Sequence, residues 1–238
     1  MKSGFNLNNI SKSFEIDSKT VNVFKNLSLN ISNDEITVIL GKSGCGKTTL
    51  LKILSSLDEI SHGEIKYHVE NITKVPKCSL IFQESRLMPW LTVEENISFS
   101  RKTSAKDISH YLHMMKLEKF KDLYPHQLSG GMAHRVAIAR ALCFDPEILL
   151  MDEPFSSLDY FTREQLQNEI IKIYLKYKKG IVFVTHNIDE SLLLGNKVVV
   201  FDSHKNIKEF YIEEGYPRDL LSNKLINLKK DILNILKD

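Results

Sequence analysis

The sequence predicts an α/β fold: a parallel sheet with a helical sub-domain inserted into it. Three observations carry this. Short apolar runs rich in β-branched residues recur along the chain, helical periodicity appears between them, and strand signals fade from about residue 84 to 143. Strands alternating with helices are the pattern of parallel βαβ units. The chain has 238 residues, 42% hydrophobic and 26% charged, which excludes a disordered chain. Ten Gly and six Pro exclude collagen-like and low-complexity classes. One domain with a sub-domain fits this length, with a core that needs no staples.

Taken in order, Glu35–Leu40 (EITVIL) reads as a buried strand ending at Gly41. Thr48 to Leu57 reads as a helix with Leu50, Leu51 and Leu54 on one face. Ser79–Phe82 is a second short strand. Ile108, Tyr111, Leu112 and Met115 fall at i, i+3, i+4 and i+7, one face of a helix. A further helix over 131–143 opens after Ser129-Gly130-Gly131. Glu147–Met151 is a buried strand closed by Asp152-Glu153-Pro154. Phe161–Lys176 is a helix, and Ile181–Thr185 and Lys197–Phe201 are strands. Leu221, Leu225, Leu228, Ile232 and Ile235 form an apolar stripe on a last helix, expected to pack on its own domain. The expected division is a single domain over 1–238. Its catalytic core is 1–83 and 144–215, its helical sub-domain 84–143, and its C-terminal helix 216–238.

The net charge is +2, with Lys spread along the chain, so nothing in the electrostatics calls for nucleic acid. The longest apolar runs, Ile148–Met151 and Val198–Phe201, fall far short of the roughly 20 residues a spanning helix needs. The N-terminus lacks the apolar stretch of a signal peptide. Cys45, Cys78 and Cys143 form no disulfide framework. A cytosolic chain is expected.

The strongest chemical signal is Gly41-Lys42-Ser43-Gly44-Cys45-Gly46-Lys47-Thr48, which matches G-x-x-x-x-G-K-[ST]. Glycines let the backbone curl, so that successive N–H groups face an anion, and the following helix adds its positive end. Lys47 then reaches the β- and γ-phosphates and the Thr48 hydroxyl takes one Mg²⁺ position. A strand before the loop and a helix after it leave an unliganded turn as the weaker reading. Asp152 closes a buried strand, where open α/β sheets bind ligands. It can hold Mg²⁺, and Glu153 can orient or deprotonate water. Alone, an apolar run before Asp-Glu marks only a strand end; beside a phosphate loop it gains meaning. Ser129 can cap the next helix, and Gly130 and Gly131 let backbone N–H groups approach an anion, although taken alone an ordinary helix cap is the better reading. His186 follows a strand at the same sheet edge as Asp152.

In that order, GKSGCGKT, Gln83, LSGGM (128–132), ILLMDEP, SSLD (156–159) and His186 resemble the ATP-binding subunit of an ABC transporter, over about residues 5 to 215. The resemblance implies an N-terminal antiparallel β part beside a phosphate-loop ATPase core. It extends the nucleotide-binding set to Thr49 and implies that Phe14 stacks on adenine. Gln83 would sense Mg²⁺ and the attacking water. Ser129, Gly130, Gly131 and Met132 would bind the ATP held by a second subunit, Asp159 would sit at the subunit junction, and His186 would contact the γ-phosphate. Phe82 to Ile97, with Met88-Pro89-Trp90, resembles the nitrate, sulfonate, taurine and bicarbonate importer group, as does Tyr216-Pro217-Arg218-Asp219. Ala133, His134 and Asn187 depart from the family's usual residues.

The resemblance implies an ATPase with ATP and Mg²⁺, powering import of a small anion or related nutrient by ATP-driven dimer closure. Its partners would be a second ATPase subunit, transmembrane permease subunits and, indirectly, an extracytoplasmic substrate-binding protein, at the cytoplasmic face of the membrane. An exporter or lipoprotein-release ATPase is the alternative. A soluble ATPase of nucleic-acid work fits less well, since that class usually carries two cassettes or a long coiled-coil insertion. The Leu87–Trp90 segment has two readings: core filler under the helical sub-domain, or an anchoring surface for a permease helix.

Overall fold

The computed structural model describes residues 3–69, 72–99, 104–202 and 206–237. Two sheets organise it. The first is antiparallel and built from β1 (Gly4–Ile16), β2 (Lys19–Ser32), β4 (His62–Val69) and β5 (Ile72–Thr73), in the order β2-β1-β4-β5. The second contains β3 (Ile36–Gly41), β6 (Cys78–Ile81), β7 (Ile148–Asp152), β8 (Gly180–Thr185), β9 (Lys197–Phe201) and β10 (Ile207–Tyr211). Its order is β10-β9-β3-β8-β7-β6, with β10 antiparallel to β9 and the other neighbours parallel. β10 is an addition to the expected parallel sheet: its sequence IKEFY stays half exposed at an edge and carries no continuous apolar run.

The central strands are buried on both faces, so they read as unbroken apolar runs rather than alternating ones. Alternate residues still face different cores. Val38, Leu40, Leu149, Met151 and Phe183 pack into one cluster with the helices of the 93–143 region. Ile39, Leu150, Val182, Val184 and Phe201 pack into a second cluster with Leu50, Leu51, Phe5, Leu7 and Ile31, which fastens the antiparallel sheet to the parallel one. Leu50 and Leu51 are fully buried, so truncating either to Ala costs about 2–5 kcal/mol.

Helix α1 (Lys47–Leu54) starts at Gly46 and ends three residues earlier than the periodicity implies. The chain turns through a positive φ at Ser56 and leaves Leu57 exposed. In the 84–143 stretch lie α2 (Val93–Ser98), α3 (Ala105–Met114) and α4 (Gly130–Cys143). A reciprocal Thr92–Glu95 capping box starts α2. Ile108, Leu112 and Met115 are buried as their spacing implies. Beyond β7 come α5 (Tyr160–Tyr177), α6 (Ile188–Leu194) and α7 (Asn223–Lys237). Leu225 and Ile232 of α7 are buried on the domain, with Leu228 and Ile235 packed beside them. Leu221 is a correction: it precedes the helix and is exposed. No described helix is long and apolar enough to cross a membrane.

Candidate functional site

The phosphate loop joins β3 to α1. Gly44 and Gly46 take positive φ, 79° and 105°. A Cβ on Gly46 would come within 2.5 Å of the Val23 side chain of β2. Glycine is therefore required there twice, for conformation and for the close approach of the antiparallel sheet. Lys47 is only 5% exposed, and its ammonium donates to the carbonyls of Gly41 (2.9 Å) and Lys42 (3.0 Å), which folds the side chain back along its own loop.

β8 lies between β3 and β7, and Val184 pairs with both Ile39 and Asp152, so the three strand ends are nearly level. The Thr48 hydroxyl donates to Asp152 Oδ1 at 3.0 Å, across 104 residues of sequence. Asp152 is 8% exposed; burial raises its pKa, and the Thr48 hydrogen bond partly opposes that shift. A hydroxyl and a buried carboxylate brought together beside a phosphate loop fit Mg²⁺, a hard cation that takes oxygen ligands and completes its shell with phosphate and water. Among the described residues no group of three or more His, Cys, Asp or Glu forms a cage. Thr48 and Asp152 supply two protein oxygens, brought together here, that could hold it.

Glu153 has φ 45°, and its N–H donates to the carbonyl of Val184 (3.1 Å). Its Oε2 meets His186 Nδ1 at 3.1 Å. The two sequence-predicted residues are therefore neighbours, although 33 positions apart. Beneath His186, the Thr185 hydroxyl donates to Glu190 (2.6 Å) and accepts from the N–H of Asn187 (3.0 Å), while Asn187 caps α6. Thr185 and Glu190 hold His186 in place and were not singled out from sequence. Asn187 followed three residues later by Glu190 is a helix-start pattern that points to them.

The remaining predicted residues lie further out. Ser129 caps α4 by accepting from the N–H of Met132 (3.3 Å), and Ser129 and Gly130 are exposed. A Cβ on Gly131 would come within 2.4 Å of Thr162 Cγ2, so α4 starts directly against α5. Asp159 caps α5 through the N–H of Thr162 (3.1 Å). Gln83 follows β6 and is exposed; no hydrogen bond joins it to Thr48 or Asp152 among the described residues. Phe14, on β1, is 39% exposed. Ser43 and Thr49 stay with the loop and the first turn of α1, while Cys45 is buried with its sulfur against Gly41.

The segment after Gln83 is held at both ends. Arg140 of α4 donates to the carbonyls of Arg86 (3.0 Å) and Ser85 (3.1 Å), and fully buried Asn96 bonds both backbone groups of Met88. Trp90 is nevertheless 69% exposed, so it does not fill the core. A groove of about 430 Å³ lined by Phe82, Met88, Phe99, Ala137 and Phe144 lies in the same region, between β6 and α4.

Fold and site together define a phosphate-loop nucleotide-binding ATPase. Residues 24–156 match the ABC transporter family model, and the chain belongs to that family. It is similar to the aliphatic sulfonates import ATP-binding protein of Bacillus cereus, 41% identical over 95% of this chain and 93% of the relative. It is likewise similar to the taurine import ATP-binding protein of a Jannaschia species, 33% identical over 99% and 94%. Among solved structures it is similar to a dimeric ATP-binding cassette in a post-hydrolysis state bound to ADP and Pi. That match has TM-score 0.76 and 31% identity, covering 89% of this chain and all of the other.

Proposed function

We propose that this chain is the ATPase of an importer, working as a pair of identical cassettes beneath permease subunits at the cytoplasmic face of a membrane. The observation that carries the reading is the convergence of Thr48 with Asp152, and of Glu153 with His186, on one phosphate loop. Lys47 exchanges its two carbonyl partners for β- and γ-phosphate oxygens, joined by the N–H groups of Gly44 to Thr49. Mg²⁺ would be held by the Thr48 hydroxyl and the Asp152 carboxylate, with Gln83 joining them on closure, and would supply charge neutralisation at those oxygens. Glu153 accepts the proton of the attacking water, and His186, oriented by Glu153, contacts the γ-phosphate.

Ser129 to Met132 reach the γ-phosphate bound by the partner copy, and Asp159 lies at the junction. A ligand drives such closure only through its difference in affinity between states, and a γ-phosphate contacted by both copies supplies that difference. The dimeric cassette among its structural relatives supports the pairing. The exposed Trp90 and the groove beside it receive a permease helix. Two relatives named for sulfonate and taurine import support an organic sulfonate as the solute, delivered by an extracytoplasmic binding protein.

Glu153→Gln tests the centre of this reading. The amide keeps the size of the side chain but accepts no proton, so ATP binding persists, hydrolysis falls at least about tenfold, and an ATP-bound dimer survives gel filtration. Near-normal turnover would remove Glu153 as the base. ATP-dependent accumulation of taurine by vesicles carrying the assembled transporter separates import from export.

A further inference from the structure

Lys12 plays no part in the sequence reading, yet its surroundings tie it to Phe14. It lies two residues before Phe14 on β1, separated from it by an irregularity in the β1–β2 register. It is 8% exposed. Its ammonium donates to Asp58 Oδ1 (2.6 Å) and to the carbonyl of Glu59 (2.7 Å), and it stands 4.5 Å from the centroid of the Phe14 ring. Buried lysines are rare unless paired, so this cation is held at a fixed place rather than left to sweep through solvent. The Lys12 hydrogen bond in turn holds the Asp58 carboxyl below the usual carboxylate range, which keeps the pair ionised.

The ring it touches stands beside the phosphate loop. Phe14 pairs with Val21 of β2, and Val23, two residues along, abuts Gly46. One cross-strand step and two residues along a strand place Phe14 roughly 8–10 Å from Val23, whose side chain abuts the loop at Gly46, so ring and loop stand apart by the order of distance that separates a nucleotide's base from its terminal phosphates. The ring is partly exposed, so it has surface left for a flat partner.

We propose that Lys12 is a positioning residue for the nucleotide base: anchored by Asp58 and Glu59, it occupies one side of the Phe14 ring and leaves the other for the adenine. The cation fixes the ring's orientation and draws its π-electron density toward itself. That lowers the electrostatic cost of stacking a second π-system on the opposite face. This inference rests on the reading of Phe14 as the base-stacking residue, and it concerns only the base, not the phosphates.

The test uses two ligands on the full chain: ATP, and inorganic tripolyphosphate, which carries the phosphates and no base. In Lys12→Met the ATP dissociation constant rises about fivefold while that of tripolyphosphate changes less than twofold, kcat at saturating ATP is retained, and Lys12→Arg restores ATP binding. Equal weakening of both ligands, with a matching drop in melting temperature, would show that Lys12 only supports the fold and overturn the proposal. Unchanged ATP binding would overturn it as well. Phe14→Ala separates the two levels. If it lowers the preference for ATP over tripolyphosphate while Lys12→Met does not, the Lys12 inference alone fails; if Phe14→Ala leaves the preference unchanged, the base-stacking reading falls and the inference with it.

Discussion

The strand-end half of the site and the start of α4 are built in opposite ways. At the strand ends Lys47 and Asp152 are buried, and each polar group has a partner: Lys47 the Gly41 and Lys42 carbonyls of its own loop, Asp152 the distant Thr48, and Glu153 the distant His186. At the start of α4, Ser129 and Gly130 are exposed, and the Ser129 hydroxyl is occupied by the helix's own backbone. The first region is a finished cradle. The second is an exposed helix start, next to the start of α5 at Asp159, and the first N–H groups of a helix have no partner within it. A single chain therefore carries one completed half and one outward-facing half, and the proposed pairing of two copies joins unlike halves.

Breaking the buried half has the largest effect. Lys47→Ala removes the charge proposed to face the phosphates, so hydrolysis is expected to fall at least about a hundredfold and ATP binding to weaken greatly, read by phosphate release and by nucleotide titration. Near-normal turnover would refute the phosphate-loop assignment. Ser129→Arg attacks the exposed half alone. ATP still binds to the same chain's loop, but hydrolysis at high protein concentration falls by about tenfold or more, ~1.4 kcal/mol of barrier. If hydrolysis holds at the normal rate, the two halves do not meet across copies.

Trp90 belongs to neither half. Trp90→Ala is expected to leave melting temperature and basal hydrolysis near normal, because the side chain is exposed and its loop is clamped by Arg140 and Asn96. It should weaken assembly with the permease subunits by roughly 2 kcal/mol, measured by pull-down. Unchanged assembly would remove Trp90 from that interface. The smallest effect belongs to Asp58. Its folded pKa lies below its unfolded value, so its stabilisation is fully present above the unfolded value and is lost as pH falls through the folded one. Asp58→Asn should cost up to about 1 kcal/mol near neutral pH, and the gap to the parent chain should close in strongly acidic melts. A gap that widens in acid would contradict the Lys12–Asp58 pairing.

What the sequence revealed was local. The phosphate loop, the apolar run into Asp152 and Glu153, and the Ser129 cap are each written in eight or fewer neighbouring residues, because backbone conformation and strand ends are local matters. The sequence places Asp152 and His186 at one sheet edge, but the Thr48–Asp152 and Glu153–His186 contacts themselves depend on β3, β7 and β8 ending level, which no short stretch of sequence states. Lys12 with Asp58, and Arg140 with Ser85 and Arg86, span 46 to 55 residues and carry no periodic signal. Their partners are carbonyls or a single carboxylate, which any sequence supplies. Trp90 carries two readings that apolar composition alone cannot separate; the loop's interior is satisfied by Asn96, which leaves the indole outside, so the core-filler reading falls and the surface reading stands.

The backbone of Glu153 has a consequence for how this chain can change over time. A non-glycine residue at φ 45° bears a conformational cost of about 1 kcal/mol or more. Glycine is the residue that would relieve it, and glycine has no carboxylate to meet His186. Selection for heat resistance and selection for turnover therefore pull this position in opposite directions. A lineage screened only for folded, soluble protein would drift toward losing the acid, while one screened for transport would retain the strained residue and draw its stability from elsewhere, such as the core around Leu50 and Leu51.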